Sequence, residues 1–164
     1  MELAVTNYEL SLFIHITAAV VGLGVTFAEA FTYPVAMRMD PRHLPYKHRF
    51  QLAINVFLAL PALVVVLATG LYQVSELNYD LGDFWLSGTM TIVFVLALML
   101  IAYFIPEDRR LGAMIERDIA ASARGEVAIS AEYRRRVRIE ASAGTFADLL
   151  VIAAVYLMVT KPGL

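Results

Sequence analysis

Five residues carry polar or ionisable chemistry in places where the surrounding sequence is apolar: His15, Glu29, Asn55, Tyr103 and Asp148. Two carboxylates brought together in a medium of low dielectric repel, and the pair relaxes by sharing a proton or taking up a cation. An imidazole can pass a proton on or bind a metal or haem iron. An amide and a phenol orient such groups through hydrogen bonds. The chemistry these types suggest is therefore proton or cation handling along a path of Glu29, Asn55, Asp148, His15 and Tyr103. Ionisable groups inside a membrane are functional candidates by default.

Spacing says which elements must position them. His15, Gly22, Thr26 and Glu29 stand at offsets of 7, 11 and 14. At ~100° per residue they fall within about 40° of one line on a helix. Glu140, Gly144 and Asp148 recur every fourth residue and make a second polar stripe. Stripes that mix small and polar residues should face other helices, because small residues allow close approach and polar ones need partners. Depth counted at ~1.5 Å per residue puts Glu29, Asn55 and Asp148 roughly 10–14 Å in from the basic ends of their helices. Tyr103 lies nearer that end, and His15 in the opposite half, level with Tyr156 and Thr91. The structural alternative is an internal hydrogen-bonded network, with Glu29 protonated or bonded to Asn55 and Tyr103, Asp148 reaching Thr145, and Arg49 or Arg138 reaching in from the basic end.

The elements themselves follow from hydropathy. The chain is 60% hydrophobic with a mean hydropathy of +0.68, against roughly 45–50% apolar residues in soluble domains. A bilayer-crossing helix needs about 20 mostly apolar residues. Four segments qualify: about 9–37, 50–75, 84–106 and 139–160. The fourth contains Glu140 and Asp148, and an Asp near mid-helix costs about 2.5–3.5 kcal/mol; the apolar run 149–159 and packing against the other spans offset it. The expected fold is all-α: a four-helix up-down-up-down transmembrane bundle forming a single integral membrane domain over 1–164. A soluble bundle would need polar helix faces, and 84–106 has none.

Charge gives the direction. Of 13 Lys and Arg residues, all but Lys161 fall in 38–49 and 109–138, the distribution of loops kept in the cytoplasm. Both termini and the acidic link 76–83 are then outside. The first 37 residues contain no Lys or Arg, so a cleaved signal peptide is not expected. Tyr72, Tyr79, Phe84 and Trp85 flank the outer link, where ring side chains favour the headgroup layer. The cytoplasmic segment 107–138 should hold an amphipathic helix, with Glu107 and Asp108 in its first turn and Leu111, Met114, Ile115 and Ile119 on its apolar face. It would lie on the inner membrane surface or at the bundle end, close near Gly125, and be followed by a helix capped by Ser130.

The same features limit function. Arg134, Arg135, Arg136 and Arg138 read as an anionic-lipid contact, and nucleic-acid binding is not expected. With no cysteine in the chain, thiol chemistry, disulfides and iron–sulfur clusters are excluded. Met37, Met39, His43 and His48 have soft-metal composition, but Pro41 and Pro45 interrupt an irregular spacing, so no metal is expected. There is no nucleophile elbow, phosphate loop or paired-histidine zinc motif, which leaves enzyme status open. Pro61 and Thr69-Gly70 suggest a kink or close backbone contact. Gly24 and Ala28 offer a small-residue face for a homodimer or a larger membrane complex.

Leu12-Phe13-Ile14-His15-Ile16-Thr17-Ala18-Ala19-Val20-Val21-Gly22-Leu23-Gly24, Thr69-Gly70 and the ending Tyr156-Leu157-Met158-Val159-Thr160-Lys161-Pro162-Gly163 resemble an uncharacterised bacterial family of predicted four-helix integral membrane proteins. Copper-resistance D and membrane protoporphyrinogen oxidase proteins are more distantly similar. The resemblance implies a multi-pass protein of the bacterial plasma (inner) membrane. The oxidase-like proteins use a first-helix histidine as haem ligand, and His15 matches that position, with water, Met90 or Tyr156 opposite. Their third-helix lysine has no counterpart, since 84–106 holds neither Lys nor His. Three classes of function follow: proton or cation handling, a b-type haem redox protein with His15 as axial ligand, and an accessory subunit of a larger membrane complex.

Overall fold

A computed structural model describes residues 5–122 and 126–163 of the chain. Four long helices account for most of them: α1 Asn7–Ala36, α2 Pro41–Leu77, α3 Phe84–Ala121 and α4 Ala131–Thr160. No strand occurs among the described residues. Each helix is long and apolar enough to cross a membrane.

The ends of the helices are written in local chemistry. Thr6 and Glu9 form a capping box at the start of α1, with Glu9 N donating to Thr6 Oγ1 at 3.2 Å and Thr6 N to Glu9 Oε2 at 2.9 Å. Asp40 caps the Pro41 turn that opens α2. Ser130 caps α4, as its position suggests, by accepting from Tyr133 N at 3.3 Å. Asn78 and Lys161 end α2 and α4 in left-handed conformation, at φ 52° and 42°. The expected stop at Gly125 lies outside the described residues.

Phe31, Phe57, Phe94, Leu149 and Val159 all point outward, Phe57 being 80% exposed. His48, Gln51, Asn55, Asp108 and Glu140 are buried. In water this distribution would be untenable, because large apolar side chains are exposed on every helix. In lipid it is what the solvent requires, since polar groups must find partners inside the protein.

The four helices pair differently at their two ends. Toward the acidic link, α1 packs along α2 and α3 along α4; toward the basic segments, α2 crosses to pack on α3, and α1 reaches α4. Gly22 permits the α1–α2 seam: a Cβ there would collide with Ala62 Cβ. At the basic end Leu44, Leu111, Ile115, Tyr133 and Val137 close an apolar core. The amphipathic segment is therefore at the bundle end. It continues the third span through the widened turn Leu100–Phe104, so Glu107 and Asp108 stand in the first turn of the stretch Ile105–Ala121 but not at a free helix end. Its apolar face, read from Leu111 and Ile115, is the face that packs.

Three helices carry a widened turn: Ala19–Leu23 in α1, Asn55–Ala59 in α2 and Leu100–Phe104 in α3. Two have a cause in the sequence. Pro61 and Pro106 each follow such a turn by two residues, and proline has no N–H to donate and crowds the carbonyl four residues back. The ladder steps over the gap through bonds of wider span, Leu60 N–H to Asn55 O and Ile105 N–H to Leu100 O. Such turns often border functional sites, and all three contribute residues to the cavity described next.

One expectation at the acidic end is corrected. Trp85 is buried (2% exposed) rather than lying in the headgroup layer. It meets Tyr79 edge-on at 5.1 Å. Lys161 covers the pair, its Nζ 2.8 Å from Tyr79 Oη and 5.2 Å from the Trp85 ring centre. The lone basic residue on this side thus has an aromatic seat.

Candidate functional site

The interior stripes of α1 and α4 meet as their spacing requires. They border a cavity of about 160 Å³ whose wall includes Glu29, Asn55, Glu140 and Asp148, with Lys47 and Gln51 beside them. The widened turns supply Gly22, Asn55, Ala59, Leu100 and Phe104 to the same wall. Gly144 lines it, and a Cβ added there would meet no atom within 4 Å. Asp148 Oδ1 accepts from Thr26 Oγ1 at 2.7 Å, which ties α4 to α1. Glu29 Oε1 is buried without a hydrogen-bond partner. A carboxylate oxygen left bare inside a protein is costly, so this one calls for a proton, a water or a cation.

Toward the basic end, behind the part of the wall formed by Asn55 and Glu140, lies a second group. His48 from α2, Asp108 from α3 and Glu140 from α4 are 1%, 1% and 5% exposed. One ligating atom from each lies within 4.8 Å of the other two. His48 Nε2 shares a hydrogen bond of 2.8 Å with Tyr133 Oη. Asn55 Nδ2 donates to Asp108 Oδ2 at 2.9 Å. Lys47 Nζ stands 3.9 Å from Glu140 Oε2. Beside them, Arg136 Nη1 spans Glu107 at 2.8 and 3.2 Å, so that acid already has its counter-charge.

Of the five residues singled out from sequence, Glu29, Asn55 and Asp148 share the cavity and the other two do not border it. Asn55 bonds Asp108 rather than Glu29, and Asp148 bonds Thr26 rather than Thr145, whose hydroxyl is taken by Ala141 O at 3.0 Å. The partner of Asp148 lies on a neighbouring helix, which spacing within a helix does not reveal, and Asn55, expected to meet α1, turns to α3 instead. Tyr103 is half-buried against Phe104, with ring centres 5.3 Å apart. His15 sits in the α1–α2 seam, its Nδ1 2.8 Å from Thr69 Oγ1. Gly70 makes room for it, since a Cβ there would be 3.3 Å from His15 Cε1. Thr69-Gly70 is thus a close helix contact.

His15 has Nδ1 engaged by Thr69, and Tyr156, named opposite it from sequence, is turned outward on α4 (61% exposed). Arg136 is likewise drawn from the proposed lipid-facing cluster, being committed to Glu107; Arg134, Arg135 and Arg138 stay exposed.

Lys47 and Asp108 were not legible as site residues, Glu140 only as part of a stripe, and His48 only within the Met37, Met39, His43 and His48 grouping set aside above. The available signal was level. Residues 48, 108 and 140 each stand within two positions of the basic-side limit of a predicted span, at 50, 106 and 139. An up-down bundle brings those limits to one layer.

No curated protein and no solved structure matches the chain. A family profile described as "Predicted integral membrane protein (DUF2269)" matches residues 9–162. The match runs across all four helices and both polar groups, and the chain belongs to this family of predicted integral membrane proteins.

Proposed function

We propose that this protein handles protons or small cations within the membrane, with Glu29 and Asp148 as the groups that take up and release charge. The observation that carries this reading is the shared cavity: acids from α1 and α4 line one space of about 160 Å³ inside an otherwise apolar bundle. Membrane helices lose free energy by carrying such groups, at about 2.5–3.5 kcal/mol for a central Asp.

In this reading Glu29 Oε1, buried and unpartnered, accepts the proton or contacts the cation. Asp148, held by Thr26, is the second station on the opposite wall. Asn55 offers an amide oxygen at the cavity edge while its nitrogen is occupied by Asp108. The positive-inside pattern places the basic end, and so the nearer mouth of this path, in the cytoplasm. His15, in the other half, is an outer relay held by Thr69.

The test is flux in proteoliposomes. Purified protein with a pH-sensitive dye inside the vesicles should dissipate an imposed proton or K⁺ gradient, and Glu29→Gln and Asp148→Asn should each slow this at least tenfold. Elution volume and helical signal must match the unmodified protein. Gradients that persist with the unmodified protein, or fall equally fast with both variants, contradict the reading.

A further inference from the structure

We propose that His48, Asp108 and Glu140 form a binding site for a divalent first-row transition ion at the basic end of the bundle. The proposal does not depend on transport; an ion held here would pin three helices whether or not anything crosses the membrane.

The argument starts from what each side chain does with its two polar atoms. His48 spends Nε2 on Tyr133, Asp108 spends Oδ2 on Asn55, and Glu140 turns Oε2 to Lys47. The remaining atom of each, His48 Nδ1, Asp108 Oδ1 and Glu140 Oε1, is buried and has no hydrogen-bond partner. Few buried polar groups in native proteins lack a partner, and each exception needs an explanation. Here three exceptions come from three helices at one place.

Distance agrees. His48 Nδ1 and Asp108 Oδ1 are 3.8 Å apart, and one ligating atom from each of the three residues falls within 4.8 Å of the others. Two ligands of one zinc ion, each ~2.0–2.2 Å from the metal, are separated by roughly 3–4 Å. A small closing of side chains brings the set to that size. The engaged atoms then act as orienting contacts, of the kind that ligating histidines and carboxylates commonly have. Tyr133 fixes the His48 ring, and Asn55 fixes Asp108.

Charge agrees as well. Asp108 and Glu140 as carboxylates bring two negative charges into a buried space, and Lys47 supplies one positive charge. Arg136 is committed to Glu107 at 2.8 Å and offers no second. One proton shared between Asp108 and Glu140 would relieve their repulsion but leave His48 Nδ1 without a partner; a divalent ion between the carboxylates meets all three atoms. One nitrogen and two oxygens suit Zn²⁺, Mn²⁺ or Fe²⁺ rather than Cu⁺, which prefers sulfur. Three protein ligands leave a coordination position for water, and the adjoining cavity shares Glu140, Asn55 and Lys47 with the group.

Protein stripped with EDTA and exchanged into nanodiscs is titrated with Co²⁺ alone, read by visible absorption, then with Zn²⁺ in competition. One Co²⁺ per chain with ligand-field bands, displaced by Zn²⁺, is expected. Asp108→Asn and Glu140→Gln should abolish the bands. Tyr133→Phe retains all three ligands and should weaken binding about 10–100-fold, so it keeps the test decisive if either carboxylate variant fails to fold. Absence of saturable binding to the folded unmodified protein overturns the proposal. So does binding that folded Asp108→Asn or Tyr133→Phe protein retains at full strength. Neither reading depends on proton flux, so the two accounts fail separately.

Discussion

His15 and His48 show how the two halves of one bundle treat the same side chain. His15 lies half-buried in the α1–α2 seam, where Thr69 occupies one ring nitrogen and Gly70 leaves room for ring atom Cε1. Its surroundings answer its needs locally. His48 is 1% exposed, with Tyr133 on one nitrogen and the Asp108 carboxylate 3.8 Å from the other. Its surroundings leave a question open. The difference follows from helix pairing. In the acidic half α1 and α2 approach closely enough for one hydroxyl to satisfy one imidazole. In the basic half α2, α3 and α4 converge and bring two acids with them.

The largest test of this contrast is the contact that separates the halves. Gly22→Val places side-chain atoms where Ala62 already stands. It should cost about 3 kcal/mol or more, at the upper end of overpacking effects, measured by denaturant titration in mixed micelles. Similar stability for the variant would mean that the seam does not close as described. Next comes the charge balance of the basic half. Lys47→Met removes the cation facing Glu140 from a side chain only 9% exposed, and breaking a buried pair on one side costs roughly 3–5 kcal/mol. Added Zn²⁺ should restore part of that stability.

Smaller changes compare the histidines directly. Tyr133→Phe leaves His48 Nε2 buried without its hydroxyl partner and should cost about 1–3 kcal/mol. Thr69→Val removes the corresponding partner of His15, which is only half-buried, and should cost about 0.5–1 kcal/mol. Equal costs would erase the distinction. His15→Ala should leave Co²⁺ binding unchanged, as read in the same titration. Gly70→Ala, where the His15 ring must give by a few tenths of an ångström, should have the least effect on stability, below ~1 kcal/mol.

Much of this architecture is legible without coordinates, because lipid imposes a simple rule on long apolar runs. The four spans, the inward stripes of α1 and α4, the Ser130 cap and the packing face of Leu111 and Ile115 all follow from periodicity within single helices. The cavity's acids were legible for the same reason. The cluster was not, since His48, Asp108 and Glu140 are separated by 60 and 32 positions in the chain. Each also had a sufficient local explanation: a basic loop, a helix start, a stripe. Asp108 illustrates the failure best. Pro106-Glu107-Asp108 has the composition of a first turn, yet Pro106 here follows a widened turn within a continuous helix. Proline marks both, and only the neighbouring helices decide which.

The chain's lack of cysteine allows the most direct test of the central claim, that Glu29 faces a polar interior while lipid surrounds the bundle. Glu29→Cys and Phe31→Cys, made singly and labelled in intact membranes with a small charged methanethiosulfonate, differ by two positions on one helix. Phe31 is 72% exposed on the outer surface and Glu29 borders the cavity. Rapid modification at position 29 with protection at 31 is the predicted result. Modification at 31 with protection at 29 would contradict the account.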